Sequence, residues 1–190
     1  YSKETTVEFI DRVLSDVTRV ELLLKDLKNF SMYENPECTV VEMEPFMSNF
    51  LSMVERDFGA KQIVIKTVLR PGAERGYFDP RALQHVLLNL LTNAADAFEG
   101  TAAPVITIST ARSGDKLRIR IMDNGKGIPE EQQRHLFQPF TTTKSHGTGL
   151  GLVIVKKMLL KMNGTIDIES HQKAGTTVTL NLPATRGSDA

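Results

Sequence analysis

Asn89 and Asn93 stand four residues apart in the segment Asn89-Leu-Leu-Thr-Asn93-Ala-Ala-Asp96, so on a helix they share one face, while Leu87, Leu88, Leu90 and Leu91 make most of the surroundings apolar. Two amides beside a buried stripe need partners. Either they are core-edge or capping groups that bond within the protein, as buried polar groups usually do, or an amide oxygen faces a hard cation, since Mg²⁺ takes oxygen ligands and commonly shares them with phosphates. A second cluster, Asp123-Asn124-Gly125-Lys126-Gly127-Ile128-Pro129, directly follows a strand-like run. Its glycines let the backbone turn and approach a ligand, and Asp123 can accept a hydrogen bond from an amino group such as that of adenine; in isolation the same residues also read as a plain turn. The third, Gly147-Thr148-Gly149-Leu150-Gly151-Leu152, opens a helix, where bare N–H groups and the helix dipole favour an anion such as phosphate. A dinucleotide fingerprint would need a glycine at 152, and a Walker A loop would need Ser or Thr after Gly125-Lys126, where Gly127 stands.

The elements that must hold these clusters follow from periodicity. Arg81 to Phe98 reads as the helix bearing the asparagines, introduced by a turn framed by Pro71-Gly72 and Asp79-Pro80. Val105 to Thr110 and Leu117 to Met122 read as paired strands around Ser113-Gly114-Asp115, and the second delivers Asp123. Asp123 to Gly147 is polar and without sustained period, a length that suggests a lid over a ligand. Val153 to Met162 continues as a helix, and Thr165 to Ser170 with Thr176 to Leu182 forms a hairpin around Lys173-Ala174-Gly175. Upstream lie a helix at Glu44 to Phe58 and a strand at Gln62 to Leu69. The mixed order, with hairpins in place of repeated βαβ units, predicts an α/β two-layer sandwich, a mixed sheet packed on helices.

Before Pro36, Val7, Ile10, Leu14, Val17, Val20, Leu24 and Leu27 recur every three or four residues, predicting one amphipathic helix from Thr5 to Phe30. Its stripe needs a partner helix, from this chain or a second copy. We therefore expect a helical part at 1–35 and a second domain at 36–190. Lys+Arg and Asp+Glu balance at 23 each, so no global field draws nucleic acid or an anionic membrane. Cys38 is the only cysteine, which excludes an intrachain disulfide and fits a reducing compartment. No apolar run has the roughly 18 residues of a membrane span, and the start at Tyr1 without Met suggests a piece of something longer.

In this order the three clusters resemble the N, G1 and G2 boxes of the histidine-kinase catalytic domain, in the superfamily shared with gyrase B, Hsp90 and MutL. Leu136-Phe137-Gln138-Pro139-Phe140-Thr141-Thr142-Thr143-Lys144 resembles the F box and Gly175-Thr176-Thr177 the final Gly-Thr element. The run from Thr142 to Leu152 is most similar to kinases of the nitrogen-regulation NtrB type. The resemblance covers about Asp79 to Pro183 in motifs and implies a Bergerat-type ATP-binding fold using ATP and Mg²⁺. It places Asn93 on Mg²⁺ and Asn89 beside the phosphates, where Asn89 is also the one candidate for a catalytic role. Asp123 would hold the adenine amino group, and Gly125, Gly127 and Thr176 would line the base. Gly147, Thr148, Gly149, Leu150 and Gly151 would meet the phosphates, with Lys144 as an added charge, although Lys144 and Lys126 read equally as solvated loop residues.

The resemblance further implies that the first helix is the second helix of a dimerisation and phosphoacceptor hairpin. The acceptor would lie outside this chain, because His85, His135, His146 and His171 all lack its sequence context. Also implied are a homodimer, a response-regulator receiver domain as partner, a cytoplasmic location, no nucleic-acid partner, and membrane attachment only through segments not present here. The alternatives are an ATP-hydrolysing relative of the MutL or gyrase kind, a serine kinase of the anti-sigma type, and a nucleotide-binding module without catalysis. Against the first, those enzymes use a glutamate at the position of Asn89, and an amide is no general base; Asp96, where many kinases carry a basic residue, points mildly the other way. Against the second, the amphipathic helix before Pro36 fits the histidine-kinase layout.

Overall fold

A computed structural model describes residues 3–32, 35–142 and 147–184. The chain runs α1 (Lys3–Met32), β1 (Thr39–Glu42), α2 (Met43–Ala60), β2 (Val64–Leu69), β3 (Arg75–Phe78), α3 (Pro80–Asp96), β4 (Val105–Ser113), β5 (Lys116–Asp123), α4 (Glu130–Gln133), α5 (Gly151–Lys161), β6 (Thr165–His171) and β7 (Gly175–Pro183). A five-stranded sheet has the order β2-β4-β5-β7-β6, in which β2 pairs parallel with β4 and every other pair is antiparallel. The alternation in β5 shows how it is used: Leu117, Ile119 and Ile121 are buried while Lys116, Arg118, Arg120 and Met122 are exposed. One face packs on helices and the other is open, so the fold is the expected two-layer α/β sandwich with a mixed sheet.

The helical layer consists of α2, α3 and α5. Leu83, Val86, Leu87, Leu90, Leu91 and Ala94 of α3, with Ile154, Val155, Met158 and Leu159 of α5, all join the core. The start of α3 is fixed locally. Asp79 Oδ1 accepts from Arg81 N at 2.9 Å and Ala82 N at 3.2 Å, and Pro80 fills a first-turn position where a missing N–H costs nothing. The same buried carboxylate accepts Glu37 N through Oδ2 at 2.9 Å, tying the segment after Pro36 to the head of α3. Replacing such a cap by alanine typically costs about 1 kcal/mol.

Two features depart from the sequence reading. The interval from Pro71 to Pro80 is not only a turn: Arg75–Phe78 is a strand that pairs antiparallel with β1, an element the sequence did not suggest. Gly76 is required there, since a Cβ would lie 2.6 Å from Leu117 Cδ2 and from the Phe78 ring. The segment after Asp123 is likewise not wholly irregular, because it contains the short helix α4.

The first helix is present and slightly longer than expected. Its apolar stripe is open: Val7, Ile10, Leu14, Val17, Val20 and Leu24 are each half exposed or more. The Leu27 side chain lies outside the described residues. Among the described residues no helix is long and apolar enough to cross a membrane.

Candidate nucleotide-binding site

The helix α3 organises the site along its length. At its C-terminal end, Lys126 N donates to Ala97 O at 2.9 Å, and a Cβ on Gly125 would lie 2.7 Å from that same carbonyl. About 12 Å earlier along the helix, eight residues at 1.5 Å each, the Asn89 amide lies against Gly151, where a Cβ would come within 2.9 Å of both amide heteroatoms. The first cluster thus meets the third at its start, Asn89, and the second at Ala97, the residue that follows its end.

At the first of these ends, β5 finishes with Asp123, whose Oδ1 accepts from Gly125 N at 2.9 Å and Thr176 N at 3.3 Å. Burial pushes the Asp123 carboxyl above its ordinary value of 3.8, and the Gly125 and Thr176 N–H groups pull it back. Among the described residues Oδ2 has no partner. Asn124 faces the other way: its Oδ1 accepts from Val105 N and its Nδ2 donates to Ala103 O, each at 2.8 Å, pinning the loop before β4 to the end of β5. Gly127, at φ +67°, lies against the His171 carbonyl, and Gly175, at φ +90°, against the Asp123 carbonyl; in both places a Cβ would overlap backbone oxygen. These glycines answer to close protein neighbours in a left-handed conformation.

Behind this wall lies a polar knot. The Ser170 hydroxyl contacts Ile128 N at 2.8 Å, Gly175 O at 3.1 Å and Thr176 Oγ1 at 2.9 Å. Gln133 of α4 donates from Nε2 to Ile128 O at 2.8 Å and to Ser170 O at 2.9 Å. Neither Ser170 nor Gln133 was singled out from sequence. A signal existed for Ser170, because it continues the inward parity of Ile166 and Ile168 along β6, where a polar residue must find partners.

The other end is built from helix termini and amides. Asn93 Nδ2 donates to Asn89 Oδ1 at 3.2 Å, so the two amides do share one face. Leu150 at the N-cap of α5 offers no capping side chain, and Thr148 Oγ1 accepts from Leu150 N at 3.2 Å, just ahead of the first turn. Gly149, at φ +68°, packs on the backbone of Phe140 and Thr141, bringing together the two ends of the segment between them. Gly147, Thr148, Gly149, Leu150 and Gly151 are all half-buried. Phe137 packs under Lys156 Nζ, 4.9 Å from the ring centroid, whereas Phe140 is exposed.

Lys144 and His146 lie outside the described residues. Lys126 is exposed and 3.8 Å from Glu99, as a loop charge would be. His135 contacts Gln138 Oε1 at 3.0 Å and His171 is exposed at the end of β6. Among the described residues no cluster of three or more His, Cys, Asp or Glu could hold a metal ion. A cation here would use amide and phosphate oxygens, a donor set that suits Mg²⁺.

Comparison with known proteins agrees with this arrangement. Residues 78–186 match the family described as histidine kinase-, DNA gyrase B-, and HSP90-like ATPase. The sensor histidine kinase ZraS of Klebsiella oxytoca is 36% identical over 146 residues, covering 75% of this chain and 31% of that protein. The nitrogen regulation protein NtrY of Azorhizobium caulinodans is 29% identical over 180 residues, covering 92% of this chain and 23% of that protein. The chain thus spans about a third or less of the length of these curated relatives. Among solved structures, the catalytic domain of the histidine kinase ThkA superposes with a TM-score of 0.69 at 28% identity, over 78% of this chain and 97% of that one. The chain therefore belongs to the histidine kinase-, DNA gyrase B- and HSP90-like ATPase family, and within it to the ATP-binding domains of sensor histidine kinases.

Proposed function

We propose that this chain holds ATP·Mg²⁺ and delivers the γ-phosphoryl group to a histidine outside residues 1–190, from which it passes to a response-regulator aspartate. The observation that carries the reading is the pairing of two ends on one helix: a carboxylate acceptor beside the C-terminus of α3, and the Asn89 amide against the start of α5 two turns earlier. Asp123 takes the adenine amino group through Oδ2, with Gly125, Gly127 and Thr176 around the base. Gly147, Thr148, Gly149, Leu150 and Gly151 bring backbone N–H groups to the phosphates, and Lys144 adds charge. Asn93 offers an amide oxygen to Mg²⁺, with Asn89 beside it. The cation, when bound, neutralises phosphate charge, and the residues position and orient, which is most of what phosphoryl transfer requires.

Residues 36–190 form the catalytic domain and residues 1–35 contribute the second helix of a dimerisation hairpin. The exposed stripe of α1 supports this, since a row of six half-exposed apolar residues is a surface that another helix covers. The partner receiver domain follows from the same reading; the solved complex of ThkA with the response regulator TrrA is a related arrangement in another protein. The histidine-kinase reading carries with it a cytoplasmic location for this catalytic segment. An ATP-hydrolysing relative would need a carboxylate to activate water at Asn89, and the amide there cannot accept the proton. The test is label transfer: with γ-labelled ATP, Mg²⁺ and the acceptor-histidine helix added in trans, label should appear on that histidine. Steady phosphate release without protein labelling would establish the hydrolytic reading instead.

A further inference from the structure

We infer that Ser170 sets the hydrogen-bonding polarity of the Thr176 hydroxyl and so makes the wall around Asp123 a surface of acceptors, selecting a 6-amino purine over a 6-oxo purine. The inference rests on the nucleotide-binding reading and adds to it a specificity-determining residue that does not itself touch the base. A hydroxyl has one proton and two lone pairs. Ser170 Oγ has three partners, at 2.8 Å, 3.1 Å and 2.9 Å. The Ile128 N–H can only donate, so it takes one lone pair. The Gly175 carbonyl can only accept, so it takes the proton. The contact with Thr176 Oγ1 is then a hydrogen bond only if Thr176 donates into the second lone pair. This is the one assignment that makes all three contacts hydrogen bonds.

Thr176 has a single hydroxyl proton, and it is committed inward to Ser170. What remains on its oxygen is acceptor capacity. Its own N–H is committed to Asp123 Oδ1, and the carboxylate beyond is acceptor-only when ionised. Both side chains thus offer lone pairs and no donor. An amino group suits such a surface, while a carbonyl oxygen in its place meets like partial charge. The arrangement is held from behind, because Gln133 binds the Ser170 and Ile128 carbonyls together and Ser170 is buried. Removing the Ser170 oxygen frees the Thr176 proton to turn outward and donate.

The test titrates ATP and inosine triphosphate, which carries oxygen in place of the amino group, into wild type, Ser170→Ala, Thr176→Val and the double variant, with thermal melting in parallel. Ser170→Ala should lower the ratio of ATP to inosine triphosphate affinity about tenfold, or about 1.4 kcal/mol. In the Thr176→Val background the same change should move the ratio no further. Weakening of both nucleotides in equal proportion would mean that Ser170 acts only structurally, and a full effect persisting without the Thr176 hydroxyl would mean that it acts by another route; either overturns the inference. Should Ser170→Ala not fold, Thr176→Val alone must lower the ratio and Ser170→Thr, which keeps the hydroxyl, must preserve it, or the inference fails. Wild type that binds neither nucleotide would sink the nucleotide-binding reading itself.

Discussion

The two ends of the site are built on opposite principles. Around Asp123 the polar groups are largely committed to the protein: the carboxylate to Gly125 and Thr176, Thr176 to Ser170, Ser170 to Ile128 and Gly175, and Gln133 to the carbonyls behind them. Around Asn89 the groups that meet are two amides in a 3.2 Å contact, the first turn of a helix and a glycine held against a side-chain amide. A wall whose polar groups are mostly bonded within the protein holds its geometry before any ligand arrives and is suited to telling one base from another. An end made of helix N–H groups and amides is suited to charge, whose recognition depends on dipole and count more than on one fixed contact.

The sharpest way to break the comparison is to disable one end and leave the other. Asn93→Ala should reduce phosphoryl transfer by about a thousandfold, or about 4 kcal/mol of barrier, while nucleotide affinity measured without Mg²⁺ stays near wild type. Label-transfer rates and a metal-free titration check the two halves.

At the other end, Asp123→Asn should weaken ATP about a hundredfold, near the upper value for a hydrogen bond to a charged group. The same change should leave melting at pH 7 unchanged or raise it. Burial lifts the Asp123 pKa above 3.8, so ionisation disfavours the folded state, and the group's stabilising contribution, complete below 3.8, is lost as pH rises through the raised folded value. Asparagine removes that cost and can still accept from Gly125 and Thr176. By the same sign, wild-type ATP affinity should begin to fall on acidification while the pH is still above 3.8, as the acceptor becomes protonated.

Glycine substitutions sharpen the contrast further. Gly127→Ala meets the His171 carbonyl at positive φ and should cost about 2 kcal/mol of stability or more, read by denaturant unfolding. Gly151→Ala meets only the tip of Asn89, which can rotate away; it should cost less than about 1 kcal/mol of stability, yet weaken ATP·Mg²⁺ more than adenosine. The smallest effect belongs to α1. Removing residues 1–35 should change ATP affinity less than about twofold, since the stripe of α1 is exposed and none of the site contacts described above involves it.

Much of this fold could be read from local pattern because local pattern caused it. The period of α3, its Asp79-Pro80 start, and the strand pairs joined around Gly114 and Gly175 each depend on neighbours in sequence. The small sheet could not be read in that way: β1 and β3 have four residues each, β3 contains Gly76, and Thr39 pairs with Phe78 across α2 and β2. The amphipathic period of α1 was legible, but period does not reveal what covers a stripe. In the site, the residue types around Asp123 and Asn89 carried a message, whereas in the knot behind them only the inward parity of Ser170 did, and it named no partner. Ser170 and Gln133 gain their meaning from partners on α4, β7 and the loop at Ile128, which only the folded chain brings together. Gly125 and Gly127 were legible as places of close approach and Gly175 as a turn; the partners they face, the carbonyls of Ala97, His171 and Asp123, were not.

The most direct test is a calorimetric titration of ATP into wild type, Asp123→Asn and Asn93→Ala, each with and without Mg²⁺. A site with a base end and a metal-phosphate end predicts that Asp123→Asn loses most binding under both conditions, while Asn93→Ala loses only the increment that Mg²⁺ supplies. Equal losses in both variants regardless of Mg²⁺, or full ATP binding by Asp123→Asn, would contradict the division of labour along α3.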